Sequence, residues 1–201
     1  MEKNDLRLKL ILFFGIVAVL LTADLLVKEL VFRTLAGKPA VVFIPGFWSW
    51  HYTANDDTGF SLFRTIGVDK LLDKTAKLIV IVSFQLAGVA IAAYFFWSRK
   101  NYLNSWVKRL PLALIISGGL GNALDRIIRG FVVDYVLWYF QDPSKFYWPI
   151  FNLADTYTVV GVGFLAVFIL FTKSGKEEKK PAPTAGADES GESTTGSEPD
   201  A

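Results

Sequence analysis

Apolar residues gather in four blocks, and the polar residues crowd into the connections between them. The first block runs from Leu10 to Ala23, is interrupted by Asp24, and continues through Leu25, Leu26, Val27, Leu30 and Val31 to about Phe32. The second, Leu78 to Trp97, has only Ser83 and Gln85 as clearly polar side chains. The third runs from about Leu110 to Ile128, and the fourth from about Asn152 to Thr172. Each can cross a ~30 Å hydrocarbon core at ~1.5 Å per residue. Gly118, Gly119 and Gly121 in the third block allow helices to approach closely in lipid. The pattern predicts an all-α polytopic membrane protein with four transmembrane helices in one domain, residues 1–173. The first block follows Lys3, Arg7 and Lys9, as a signal peptide would. Its apolar character persists beyond Asp24, however, and Leu21 stands where cleavage prefers a small residue, so an uncleaved helix is expected.

The connection over residues 33–76 is too long for a plain turn. Val41 to Tyr52 is rich in Val, Phe, Ile, Trp and Tyr, is broken by Pro45-Gly46, and predicts a short β-hairpin or small sheet within a β-rich stretch of about 40–63. Phe47, Trp48 and Trp50 suit the headgroup level or a self-packed cap. From about Lys176 the chain lacks aromatic and large aliphatic residues. It cannot bury enough apolar area to offset ordering entropy, so residues 174–201 are expected to be a disordered tail.

Basic residues orient the spans. Lys3, Arg7 and Lys9, then Arg99, Lys100, Lys108 and Arg109, then Lys173, Lys176, Lys179 and Lys180 fall on one side of a four-span chain. Their density marks that side, with both termini, as cytoplasmic. The net charge of +2 adds little. With no cysteine, disulfides, thiolate ligands and cysteine nucleophiles are excluded, and the lone His51 cannot build a histidine-rich metal site.

Candidate chemistry resides in four aspartates beside or within these spans. A carboxylate costs roughly 2.5–3.5 kcal/mol at a helix centre on insertion scales, so it is rarely there without a task. Asp24 lies 15 residues after Lys9, Asp125 16 after Arg109, and Asp155 18 before Lys173. Those intervals are ~22, ~24 and ~27 Å of helix, so all three approach the outer boundary. Asp134, just beyond the third span, can fold back to meet Asp155. Lys28 lies one turn after Asp24 and can pair with it. Arg126 beside Asp125 would hold that acid ionised, although side chains at i and i+1 do not face each other and the partners of both are expected elsewhere. Asp134 and Asp155 lack such a neighbour apart from Arg129, and as a close pair they would share a proton. On the residues alone, an acid–base dyad, a proton relay and a structural polar cluster all remain open.

The motifs Asp24-x-x-x-Lys28, Gly121-Asn122-Ala123-Leu124-Asp125-Arg126, Gly130-x-Val132-x-Asp134 and Phe151-Asn152-Leu153-Ala154-Asp155 occur in this order through all four spans. Together they resemble the lipoprotein signal peptidases (signal peptidase II), which are membrane aspartyl proteases. The resemblance covers about residues 8–172. It implies a four-helix membrane fold with a small extracytoplasmic β cradle, and an aspartic endopeptidase that cleaves a prolipoprotein just before its diacylglyceryl-modified cysteine. It places the catalytic dyad on Asp134 and Asp155. Asp24, Lys28, Asn55, Asn122, Asp125, Arg126 and Asn152 match positions that shape the site or contact substrate. Two segments depart from the family pattern. Its Asn-x-Gly-x-x-Phe-Ser reads here as Asn55-Asp56-Asp57-Thr58-Gly59-Phe60-Ser61, and Thr156 stands where serine is common. No metal or cofactor is implied. The expected partners are the prolipoprotein and membrane lipids, not nucleic acid, and the expected form is a monomer in the bacterial cytoplasmic (inner) membrane. The alternative is a small proton- or ion-coupled membrane transporter, which predicts acids reachable from both faces.

Overall fold

The computed structural model describes residues 3–56, 72–98 and 106–177. Four helices, α1 (Lys3–Leu35), α2 (Lys74–Ser98), α3 (Trp106–Arg129) and α4 (Leu153–Glu177), carry the four apolar blocks. Strands β1 (Val41–Ile44) and β2 (Trp48–Asn55) follow α1, and β3 (Val132–Trp138) lies between α3 and α4. Helix α4 continues through Glu177, past the expected domain boundary at residue 173. Residues 178–201 of the expected tail, and the β-rich stretch beyond Asp56, lie outside the described residues.

Helix α3 is the hub. Its span is 61% buried, against 17% for those of α1 and α2, so it is the helix the others surround. Three glycines make this possible, each turned to a different neighbour. A Cβ on Gly118 would collide with the Ala154 carbonyl and the Thr158 hydroxyl of α4. One on Gly119 would sit 2.5 Å from the Val89 side chain of α2, and one on Gly121 2.5 Å from the Asp24 carboxylate of α1. Helices without a solvent-driven hydrophobic force between them gain their contact this way.

Elsewhere the helices turn large apolar side chains outward. Leu26, Leu30, Phe84, Ile91, Phe164 and Leu170 are all exposed, an arrangement that suits lipid and not water. Three helices, over Asp5–Leu35, Lys74–Tyr94 and Arg109–Arg129, are long and apolar enough to cross a membrane, and Leu153–Phe168 is a shorter apolar helix. Phe13, Val17, Ala92, Leu112, Ala113 and Ile116 form one core where α1, α2 and α3 meet.

The sheet caps one end of this bundle. Its order is β1-β2-β3, antiparallel throughout. The predicted hairpin is present, and Gly46 at its turn has φ 76°, a left-handed conformation that glycine adopts without strain. The third strand lies in the α3–α4 connection, for which the sequence pattern predicts only a fold-back. Its signal is the run Phe131-Val132-Val133-Asp134-Tyr135-Val136, β-branched and aromatic, after Gly130. Gly130, with φ 79°, donates its N–H to the Arg126 carbonyl and ends α3. Strand β3 then turns straight into pairing with β2, and Val31, Val133, Tyr135 and Val136 form a second core beneath the sheet.

Candidate active site

Two local devices position the two motif-terminal aspartates. The first is the start of α4. Asn152 is its N-cap and Asp155 its third residue: the Asp155 N–H donates to Asn152 Oδ1 at 2.9 Å, and the Asn152 N–H donates to Asp155 Oδ2 at 3.2 Å. This reciprocal capping box satisfies two orphan donors and fixes the Asp155 carboxylate over the helix end. The second is β3. Thr53 lies opposite Asp134 and Asn55 opposite Val132. Asn55 and Asp134 are therefore diagonal neighbours on one face of the sheet, and Asn55 Nδ2 donates to Asp134 Oδ2 at 2.7 Å.

The two carboxylates are tied together through two asparagines. Asn152 Nδ2 donates to Asp134 Oδ1 at 2.6 Å and to Asn122 Oδ1 at 3.1 Å. Asn122 Nδ2 donates to Asp155 Oδ1 at 2.7 Å. Asp134 is almost wholly buried. Burial pushes its carboxyl up to about 7, the charge of Asp155 adds to the rise, and the bonds from Asn55 and Asn152 oppose it.

Asp24 and Asp125 each grip the backbone beside one of these acids. Asp24 Oδ1 accepts the Ala154 N–H at 2.9 Å, one residue before Asp155. Asp125 Oδ2 accepts the Val133 N–H at 3.1 Å, one residue before Asp134. Lys28 joins the two supports: its Nζ is 2.8 Å from Asp24, 3.6 Å from Asp125 and 2.8 Å from Asn122 Oδ1, with no exposure at all. The expected Asp24–Lys28 pair is thus one limb of a larger network. The cation that pairs with Asp125 is not its chain neighbour Arg126, as adjacent positions on a helix imply. Arg129, one turn on, pairs with Asp125 and with Glu29 of α1, whereas Arg126 turns toward the cleft. Adjacent residues on a helix diverge, and residues four apart converge.

A cleft of about 320 Å³ opens between α2, α3 and α4 beneath the sheet. It divides the nine candidate residues into two groups. Asn55, Asn122, Arg126, Asp134 and Asp155 line it. Asp24, Lys28, Asp125 and Asn152 stand behind them, buried. Away from this polar end the walls are apolar, with Phe84, Val89, Ile115 and Val159. Sequence reasoning missed Tyr135, whose hydroxyl accepts the Leu153 N–H at 3.3 Å and completes the cap of α4. Among the described residues, no group of three or more His, Asp or Glu side chains is placed to hold a metal ion.

Residues 16–171 match the family described as signal peptidase (SPase) II. The chain belongs to that family. The lipoprotein signal peptidase of Xanthomonas euvesicatoria pv. vesicatoria (strain 85-10) is 39% identical over 151 residues, which are 75% of this chain and 81% of the relative. That of Xylella fastidiosa (strain M12) is 33% identical over 152 residues, 74% of this chain and 84% of the relative. The fold is similar to that of a bacterial membrane enzyme solved by the in meso method at 2.3 Å resolution. The TM-score is 0.67 at 23% identity, over 84% of this chain and 93% of that one. A second such structure, at 1.9 Å resolution, gives a TM-score of 0.63 at 22% identity, over 79% and 92%. Membership of signal peptidase II makes this chain a membrane aspartic endopeptidase, and the transporter alternative falls away.

Proposed function

We propose that this protein removes the signal peptide from prolipoproteins by hydrolysing the peptide bond before the diacylglyceryl-modified cysteine, with Asp134 and Asp155 as the catalytic pair. One observation carries the reading: both carboxylates face the same cleft and are joined through Asn122 and Asn152. Two buried carboxylates that feel each other's charge hold one proton between them at neutral pH. The ionised member takes a proton from water, and the resulting hydroxide attacks the scissile carbonyl carbon. The protonated member donates to the carbonyl oxygen. When the tetrahedral intermediate collapses, the C–N bond breaks and the amine of the cysteine leaves with a proton. The signal peptide leaves with a new carboxylate.

The arrangement of the cleft supports this chemistry. Its apolar walls between helices suit the acyl chains of a substrate entering laterally from lipid, and its polar end lies at the sheet, where the scissile bond can meet water. Arg126, lining that end, has a fork of donors suited to a backbone carbonyl. Asn55 and Asn122 orient the pair, and Asp24, Lys28, Asp125 and Asn152 hold the supporting frame.

The wider arrangement is part of the same proposal. The protein is a monomer with four spans in the bacterial inner membrane, with the β cradle outside and both termini cytoplasmic. Residues 1–173 form the peptidase domain, with α4 running on through Glu177. Neither cofactor nor nucleic acid takes part. The test is processing of a diacylglyceryl-modified prolipoprotein by the purified protein and its Asp134→Asn and Asp155→Asn variants. Each variant is expected to lose cleavage by about 10²–10⁴-fold or more. Undiminished cleavage by either would overturn the pair.

A further inference from the structure

Gln85 is the polar residue of α2 that the catalytic reading leaves without a task. It lines the same cleft as Asp134 and Asp155. Its Oε1 is buried and, among the described residues, has no hydrogen-bond partner. Its backbone carbonyl lies 3.9 Å from where a Cβ on Gly119 would stand, which sets its level against α3. Gly119 is three residues deeper than Asn122, the residue that holds Asp155, or ~4.5 Å further from the sheet end at the helical rise. A buried amide oxygen without a partner is costly, and an apolar wall has no use for it.

The substrate offers a reason. A peptide entering a protease site is extended, so its backbone N–H and C=O groups lose their helical partners. At membrane depth, water does not replace them, and the protein must. We infer that Gln85 Oε1 accepts a hydrogen bond from a backbone N–H of the signal peptide, one or two peptide units before the scissile bond. An extended chain advances ~3.3 Å per residue, so a ~4.5 Å offset falls within that interval. Acyl chains would leave the amide as poorly satisfied as before, so the peptide, and not an acyl chain, passes the Gln85 side chain. This inference rests on the proposed prolipoprotein peptidase activity and gives Gln85 a specificity role, not a catalytic one.

The test pairs a Gln85→Leu variant with three synthetic diacylglyceryl lipopeptides: an all-amide parent, and two in which the first or second N–H before the scissile bond is replaced by an ester oxygen. With the parent, Gln85→Leu is expected to raise KM about tenfold with kcat nearly unchanged, as loss of a uniform binding contact does. One of the two ester substrates should cost the wild type a similar factor, and Gln85→Leu should then add nothing. An unchanged KM in a folded Gln85→Leu, or losses that multiply, overturns the inference. The wild type with the ester substrates decides alone if the variant does not fold, since no loss with either ester refutes it. Failure of the wild type to cleave the parent substrate sinks the proposed activity itself, and this inference with it.

Discussion

Asn152 Nδ2 donates to Asp134 Oδ1 at 2.6 Å, while the same residue caps the helix that carries Asp155. One side chain therefore sets the positions of both acids, and its two tasks are separable. Asn152→Ser keeps a capping oxygen and loses the amide. It is expected to stay near wild-type stability and to lose at least tenfold in kcat. Asn152→Ala also loses the cap, worth about 0.5–2 kcal/mol. Thermal midpoints measured beside cleavage rates check both.

Lys28 is the sole cation within salt-bridge distance of Asp24 among the described residues. Lys28→Met leaves a buried carboxylate uncompensated, and a loss of about 3–5 kcal/mol is expected. The double variant Asp24→Leu, Lys28→Met removes the stranded charge and should recover part of that loss. Denaturation in detergent reads both, and a double variant less stable than Lys28→Met refutes the charge argument.

The raised Asp134 carboxyl predicts two effects of pH. The folded protein binds this proton up to about pH 7, whereas an unfolded aspartate releases it near 3.8. Stability is therefore fullest below about pH 4 as far as this group is concerned, and is lost as pH rises to about 7. Wild type should lose stability relative to Asp134→Asn between about pH 4 and 7 and level off above that. Cleavage that needs the shared proton should fall on the alkaline side, with an apparent pKa near 7 belonging to the pair. A flat rate from pH 6 to 9 would count against a one-proton pair.

Glycine to alanine within a helix ordinarily stabilises by about 1 kcal/mol. At Gly118 the sign should reverse, because the new methyl meets the Ala154 carbonyl, a backbone atom that cannot swing away. A loss of about 1–3 kcal/mol is expected, with a drop in activity as α4 and Asp155 are displaced. Gly163→Ala on α4, where a Cβ meets nothing, is the control and should be neutral or stabilising. Similar midpoints for the two variants would remove the close-approach argument.

The sequence by itself determined the four helices, because apolar length and charge-free composition leave the backbone no other way to satisfy itself in lipid. It also determined the β1–β2 hairpin and the Asp24–Lys28 contact at one-turn spacing, and its motifs, whose order runs along the whole chain, named the nine candidate residues that the fold gathers at or behind one cleft. Tertiary structure decided what those motifs do to one another. Strand β3 escaped notice because its side chains are buried on both faces, which erases the alternation that marks a half-exposed strand. One-turn spacing alone allows Arg129 to pair with Asp125, but the packing of α1 on α3 adds Glu29 to that contact. Asn55, whose spacing departs from the family pattern, reaches Asp134 because sheet register, not sequence spacing, brings them together. The division between residues that line the cleft and residues that stand behind it depends on which faces α3 turns to three neighbours at once. No local pattern encodes that, since it is a property of the packed helices and not of any one of them.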